Sequence, residues 1–177
     1  CGDTSRHVKH LISIGCDVNA TGYMGWTPLH MMCAGGAEDI EQLAGSDNGM
    51  IPVRERLQHQ DKLMKQAVGN WHYNLCTLGD PLTILNELIT NGATVNAVDL
   101  NGRTPLQLAC IYGVHGVTMT IDIINGLLEA HADIDALDGV GMTPVALAAL
   151  NGCDRIIDIL VQRKCNLQLT NHTGQSP

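Results

Sequence analysis

Two short motifs recur along this chain at the same spacings. Thr-Pro opens the first motif at residues 27–30, 104–107 and 143–146, and Ser176-Pro177 begins it once more. The second motif is Val-Asn-Ala or a variant of it, at 18–20, 95–97, 134–136 and 167–169. Both motifs recur after 77, 39 and 33 residues. Two unlike motifs in constant register predict a tandem repeat, whose units bury their apolar surfaces against one another.

Each repeat is predicted to contain two helices. The Thr hydroxyl can cap a helix start, and Pro at the first helical position loses no needed donor. A short first helix, such as Leu106–Tyr112, ends at Gly113. The second helix carries an apolar stripe at positions i, i+1, i+4 and i+5. The stripe residues are Ile84, Leu85, Leu88 and Ile89, then Ile123, Ile124, Leu127 and Leu128, then Ile156, Ile157, Leu160 and Val161.

The second helix is expected to end on a residue in the left-handed conformation. Gly15 and Gly92 suit that position, but His131 and Lys164 replace glycine in the later repeats. A residue other than glycine costs about 1–2 kcal/mol there. The later helix ends are therefore predicted to be weaker.

These patterns resemble the ankyrin repeat. Thr27-Pro28-Leu29-His30 and the segment from Asp99 to Pro105 match its motifs. The resemblance implies an all-α solenoid whose units are a helix-turn-helix followed by a β-hairpin finger. One domain is predicted over 1–177: a partial repeat at 1–21, repeats at 22–98, 99–137 and 138–170, and the start of another at 171–177. Both ends interrupt a repeat, so we expect a fragment of a longer ankyrin-repeat protein.

The unequal spacings indicate two insertions. Sixteen residues separate the second-helix Leu from the next Thr or Ser in every repeat, whereas 17, 23 or 61 separate Thr from the Leu that follows it. Insertions of 6 and 44 residues therefore lie between the helices of a repeat, near 114–119 and about 37–80. The longer one is expected to be partly helical, over Pro52–Val68, although Ala37–Leu43 could instead begin the second helix.

Composition argues against several classes of function. The net charge of −8 disfavours nucleic-acid binding, and no apolar run is long enough to cross a membrane. The seven cysteines form no CxxC pair and are expected to be reduced and buried. We therefore expect an intracellular protein, cytoplasmic or nuclear.

No catalytic, metal or cofactor site is predicted. His30 lies where the resemblance implies a structural histidine, and Gln107 and Ala146 replace it in later repeats. The spacing of His59, His72 and Cys76 does not fit a closed tetrahedral zinc site. We therefore expect a protein that is not an enzyme and that needs no cofactor.

The resemblance implies that a partner protein binds the finger tips and the inner-helix ends. Tyr, Trp and Arg often carry most of the energy at such interfaces. None of the five aromatic residues is expected in the repeat core, although Tyr23 and Trp26 could instead pack against the neighbouring finger. The predicted binding residues are Tyr23, Met24, Trp26, Leu100, Asn101, Arg103, Ile111, Tyr112, Val140, Met142, Leu150 and Asn151.

Three alternatives remain open. The long insertion, with Trp71 and Tyr73, could dock the partner or simply fold back on the stack. The chain could also be a regulatory or substrate-recruiting arm of a larger enzyme or channel. Finally, the segment from Leu11 to Asn19 resembles the pattern in which the Asn of some animal ankyrin repeats is hydroxylated, which would make Asn19 a modification site.

Overall fold

The computed structural model describes residues 4–34, 80–112 and 117–176, and these ranges contain seven α-helices. They also contain a 3-10 turn at Tyr23–Gly25 and no β-strand. The helices are α1 (Thr4–Ser13), α2 (Pro28–Cys33), α3 (Pro81–Thr90), α4 (Pro105–Tyr112), α5 (Val117–Glu129), α6 (Pro144–Leu150) and α7 (Asp154–Gln162).

The helices form two rows. In the inner row α2 contacts α4 and α4 contacts α6, while in the outer row α1 contacts α3 and α3 contacts α5. Contacts between α2 and α3, α4 and α5, and α6 and α7 join the rows. The all-helical repeat stack expected from the sequence is confirmed for the described residues.

The inner helices begin as the Thr-Pro motif predicts. Thr27 and Thr143 lie in extended conformation before α2 and α6, and each hydroxyl accepts a hydrogen bond from the amide three residues later. Pro follows at the first helical position, where the helix does not use the backbone N–H that proline lacks. In the outer row, Asp80 caps α3 by accepting from the Leu82 amide at 3.2 Å.

The outer helices end in left-handed residues, as predicted. Gly15 and Gly92 have φ of 88°, while His131 and Lys164 hold φ of 65° and 63° at the equivalent positions. The backbone hydrogen bond is the same at all four ends: the amide of the residue after the left-handed one donates to the carbonyl five positions before it. This hydrogen-bond pattern, shared by the four repeats, therefore requires a left-handed conformation of His131 and Lys164, which residues other than glycine disfavour.

The core lies between the two helix rows. Ile84, Leu85 and Leu88 of the predicted stripe are buried, and so are their counterparts in α5. Leu29, Leu106 and Leu108 of the inner helices are fully buried against them. Val161, the last residue of the predicted stripe on α7, is exposed and not buried.

The insertions fall partly outside the described residues. Residues 117–119 of the predicted short insertion form the first turn of α5, which has 13 residues against 10 in α3 and 9 in α7. Within the described ranges, the second helix that packs on α2 begins at Pro81. The predicted helix over Pro52–Val68, the segment Ala37–Leu43, Trp71 and Tyr73 lie outside the described residues.

Candidate functional site

Each finger is a tight turn. In the second finger (99–103), the Asp99 amide donates to the Arg103 carbonyl at 2.9 Å and the Gly102 amide donates to the Asp99 carbonyl at 2.9 Å. The same two bonds recur in the first finger (22–26), the third (138–142) and the fourth (171–175). The β-hairpin part of the prediction is not confirmed, since the described fingers are closed turns without assigned strands.

Backbone hydrogen bonds connect each finger tip to the next. The Leu100 amide donates to the Met24 carbonyl at 2.9 Å, and the Gly139 amide donates to the Asn101 carbonyl at 2.8 Å. The His172 amide continues the series to the Val140 carbonyl at 3.2 Å. The four fingers therefore stay in register, even though a long insertion separates the first from the second in sequence.

The close approach of two fingers explains a difference in their tip residues. Gly139 occupies the repeat position of Leu100, and a Cβ there would lie 2.7 Å from the Asn101 carbonyl oxygen. No real Cβ contact is that short, so the third finger requires glycine at this position. The exposed apolar residue of that tip is instead Val140, one position later.

Trp26 corrects the sequence-based assignment of an exposed finger residue. Its side chain is 9% exposed and belongs to the core, and its Nε1–H donates to Asp99 Oδ2 at 3.1 Å. The alternative interpretation, packing against the neighbouring finger, is the one observed. The indole is buried because the next finger supplies a carboxylate that satisfies its N–H. The expectation that no aromatic residue lies in the repeat core was therefore wrong for Trp26.

The Asp99 side chain joins the first two fingers. Its Oδ1 accepts from the amides of Asn101 at 2.8 Å and Arg103 at 2.9 Å. Its Oδ2 accepts from Trp26 and, at 3.2 Å, from Arg103 Nε. The carboxylate is buried and forms an ion pair with Arg103, whose side chain is 18% exposed. Four donors therefore hold one buried charge at the base of the second finger.

Tyr112, at the end of α4, lies beside this ion pair. The residue is half-buried, and its buried hydroxyl oxygen lies close to the Arg103 guanidinium. Burial raises the Tyr112 pKa, and the positive charge of Arg103 together with a side-chain hydrogen bond to it opposes part of that rise. The Arg103 side chain is therefore bordered by the Asp99 carboxylate and by the phenol of Tyr112.

His30 has a structural role. Nδ1 accepts from the Thr27 amide at 3.2 Å, and Nε2 lies 3.0 Å from the Arg103 carbonyl of the next repeat. Because Nδ1 is the acceptor, Nε2 carries the proton and donates it to that carbonyl. Burial lowers the His30 pKa, which favours the neutral ring.

Gln107 makes the same two contacts one repeat later. Its Oε1 accepts from the Thr104 amide at 2.8 Å, and its Nε2 donates to the Met142 carbonyl at 2.8 Å. The exchange of His for Gln at this repeat position therefore keeps both hydrogen bonds. Ala146 cannot make them, so this side-chain bridge ends at the third repeat.

Large apolar side chains are exposed on the second and third fingers and at the end of α6. Leu100, Val140 and Leu150 were predicted as binding residues; Val98 and Leu137 were missed. Both missed residues directly follow the Val-Asn-Ala motif or its variant, so their repeat position could have revealed them. We call these five residues the finger surface; their exposed fractions run from 48% to 78%.

The other predicted binding residues have varied environments. Met24, Ile111 and Met142 are half-buried and pack against the core. Asn101 is exposed, and Asn151 is exposed with its amide on the Leu147 carbonyl. The side chain of Tyr23, like Trp71 and Tyr73, lies outside the described residues.

Asn19 holds two repeats together. Its Nδ2 donates to the Gly92 carbonyl at 2.9 Å and its Oδ1 accepts from the Thr94 amide at 2.8 Å. Asn96 makes the equivalent pair of bonds with His131 and Asp133. These asparagines therefore connect successive repeats at the end of the outer helices.

The described residues include no group of three or more His, Cys, Asp or Glu side chains that could hold a metal ion. Cys33 and Cys110 are buried free thiols, and burial raises the pKa of both. Such thiols stay protonated and unreactive. Within the described ranges, no helix is both long and apolar enough to span a membrane.

Comparison with known proteins identifies the repeats. A family model described as ankyrin repeats (3 copies) matches residues 72–171, more than half of the chain. A search of curated proteins found no match. The stacked helix pairs, the register of the fingers and this match agree, and the chain belongs to the ankyrin-repeat family.

Proposed function

We propose that this chain binds a partner protein through its finger surface and the adjoining ends of the inner helices. Ankyrin repeats generally mediate protein–protein interaction and are typically non-catalytic. The observation that supports this particular surface is that it holds five of the eight exposed large apolar residues in the described ranges, namely Val98, Leu100, Leu137, Val140 and Leu150. Exposed apolar groups favour association, because a partner removes them from water.

A double variant tests the proposal. Leu100→Ser with Val140→Ser removes apolar area from the finger surface, and neither side chain is buried. Ile14→Ser is the matched control, since Ile14 and Val140 are both 63% exposed but Ile14 lies in the turn after α1, away from the fingers. We expect partner capture from a cell lysate, read by quantitative mass spectrometry, to be retained by the control and reduced at least tenfold in the double variant. Equal capture by all three proteins would contradict the proposal.

Docking through the insertion at 37–80 is the competing proposal. It predicts that deletion of about residues 46–74 abolishes capture, while the double finger variant captures normally. The two proposals therefore give opposite results with the same two proteins. A regulatory or substrate-recruiting role within a larger enzyme or channel is compatible with either surface and is tested by the identity of the captured protein.

Three narrower proposals accompany this function. We expect no catalytic activity, no cofactor and no nucleic-acid binding from the chain itself. The buried reduced thiols Cys33 and Cys110 favour a cytoplasmic or nuclear location. Hydroxylation of Asn19 stays a prediction; peptide mass spectrometry of the protein from its native cell checks it, and an unmodified Asn19 peptide would remove it.

A further inference from the structure

We infer that a second copy of this chain docks on the last described helix, α7, about a two-fold axis. The surface that it covers consists of Asp154, Ile157, Val161 and Lys164, and we call it the α7 face. The α7 face lies on the outer helix row and contains no residue of the finger surface. Self-association through it is therefore separate from the proposed partner binding.

The α7 face is a side of α7 that turns away from α5. A depression between the two helices is lined on the α7 side by Arg155, Asp158, Ile159, Gln162 and Arg163. Ile156 and Leu160 are buried in the core. The members of the α7 face follow one another at intervals of three, four and three residues, which places them together on a remaining side of the helix.

Earlier repeats bury the side chains that correspond to this face. Leu85 and Ile124 occupy the repeat position of Ile157 and are fully buried, whereas Ile157 is only half-buried. Leu85 reaches the following outer helix, since a Cβ added to Gly126 would clash with its Cδ2 atom. Val161, one helical turn after Ile157, is 43% exposed. Within the described ranges no helix follows α7, so this apolar side lacks the cover that the earlier repeats have.

The two ends of the α7 face carry opposite charges. Asp154 begins α7 and Lys164 lies just past its end, and both residues are exposed. Neither of them belongs to an ion pair within the described part of the chain. In an antiparallel pair of α7 helices, Asp154 lies opposite Lys164 of the second copy, and Ile157 lies opposite its Val161. Two-fold symmetry gives each of these pairs twice, whereas a parallel pair would bring like charges together.

The local charge balance also favours a second copy at this face. The whole chain carries a net charge of −8, which makes two copies repel each other over most of their surfaces. Residues 154–164 hold three basic and two acidic side chains, a local net charge of +1. Repulsion is therefore least where two α7 helices meet. A partner of one charge sign would pair with only one end of the face, whereas a second copy pairs with both ends.

Sedimentation of the 177-residue chain over a range of concentrations tests the inference. We expect reversible dimers with a dissociation constant of about 10–100 µM, because one helix face is smaller than a standard interface. Val161→Ser should weaken dimerisation about tenfold, since it removes apolar area twice in each dimer. Ile14→Ser is the matched control and should dimerise as the wild type does, because Ile14 is also an exposed aliphatic residue but lies outside the α7 face.

Two charge reversals test the antiparallel pairing. Asp154→Lys and Lys164→Asp each place like charges opposite each other in both pairs, so we expect each variant alone to dimerise at least about tenfold more weakly. Mixed in equal amounts, the two variants should form a heterodimer as readily as the wild type dimerises, because every pair then unites opposite charges. Circular dichroism and thermal unfolding check that each variant is folded. Val161→Ser, which changes no charge, gives a second test if a charge reversal does not fold.

The outcomes separate self-association from the proposed function. A wild-type chain that stays monomeric well above this concentration range would overturn the inference. Dimers that survive Val161→Ser and both charge reversals, or a mixture of the charge variants that stays monomeric, would also overturn it. A monomeric chain whose capture of a partner from a lysate is reduced by Val161→Ser would show that another protein, and not a second copy, covers the α7 face.

The double finger variant is the last comparison. Loss of dimers in the Leu100→Ser, Val140→Ser variant would place self-association on the finger surface and contradict the role of α7. Lysate capture by the same variant tests the proposed function on its own, so either proposal can fail while the other holds.

Discussion

At the scale of single residues, His30 and Gln107 are interchangeable in structure but not in chemistry. Both accept from the Thr amide that precedes their helix, and both donate to a finger carbonyl of the next repeat. Only the histidine can be protonated near neutral pH. Protonation would replace the Nδ1 acceptor with a donor that faces the Thr27 amide.

We predict that His30 makes the stability of the wild-type chain depend on pH. Its folded-state pKa lies below the ordinary 6.5 because the ring is buried. The unfolded chain therefore takes up the proton first, so the stabilisation is complete above about pH 6.5 and is lost as the pH falls towards the folded pKa. Urea unfolding between pH 7.5 and 5 should show a smaller decrease in midpoint for His30→Gln than for the wild type.

The reverse exchange is the matched control. Gln107→His should add a pH dependence of the same sign, because the ring would occupy the same environment one repeat later. If His30→Gln and the wild type lose stability equally over this range, the decrease comes from other groups and the assignment to His30 is wrong.

At the scale of secondary structure elements, the ends of α5 and α7 retain strain that α1 and α3 avoid. His131 and Lys164 adopt positive φ because the helix-end hydrogen bonds demand it, while Gly15 and Gly92 meet the same demand freely. The cost is the clash between Cβ and the backbone in the left-handed conformation.

We predict that His131→Gly and Lys164→Gly each raise the free energy of unfolding by about 1 kcal/mol. Gly92→Ala, at φ of 88°, should lower it by a similar amount. Chemical denaturation of the three variants measures both signs. If His131→Gly and Lys164→Gly both lower the free energy of unfolding, the native side chains stabilise the fold by more than their left-handed backbone destabilises it.

At the scale of the whole molecule, the junctions between repeats are unequal. His30 and Gln107 each bridge to the following finger, but Ala146 has no side chain that could do so. Asn19 and Asn96 each donate to a carbonyl of the next repeat and accept an amide, whereas the equivalent Asp135 only accepts, from Asn166. A carboxylate has no N–H for the Lys164 carbonyl, so one hydrogen bond is missing between the repeats at 99–137 and 138–170, and the inner-helix bridge is missing after Ala146.

We predict that the C-terminal end of the stack opens first. In native-state hydrogen exchange, amides of α7 should open at a lower free energy than those of α4. Asp135→Asn should restore a donor and stabilise α7 by about 1 kcal/mol. Asn96→Asp is the reciprocal control and should lower protection of the helices that follow it. Equal protection of α4 and α7, unchanged by Asp135→Asn, would refute the unequal junctions.

The elements of this fold could be predicted because their signals are local. Thr-Pro marks the inner helix starts, the paired apolar residues mark the outer helices, and the repeat positions of His131 and Lys164 predict their left-handed conformation. The constant interval of 16 residues also gave the finger register, which the tip-to-tip hydrogen bonds bear out. These features depend on residues within one repeat or on its period.

The side-chain environments at the candidate site depended on the tertiary structure, because their neighbours come from another repeat. Trp26 is buried because Asp99, 73 residues away, accepts its indole N–H. Gly139 is required because the Asn101 carbonyl leaves no room for a Cβ, while Val98 and Leu137 are exposed. The sequence by itself determined a stack of ankyrin repeats and its period. Which finger residues are buried and which are exposed was decided only by contacts between repeats. The repeat position of a residue determines where its backbone lies, but not which residues of the next repeat contact its side chain.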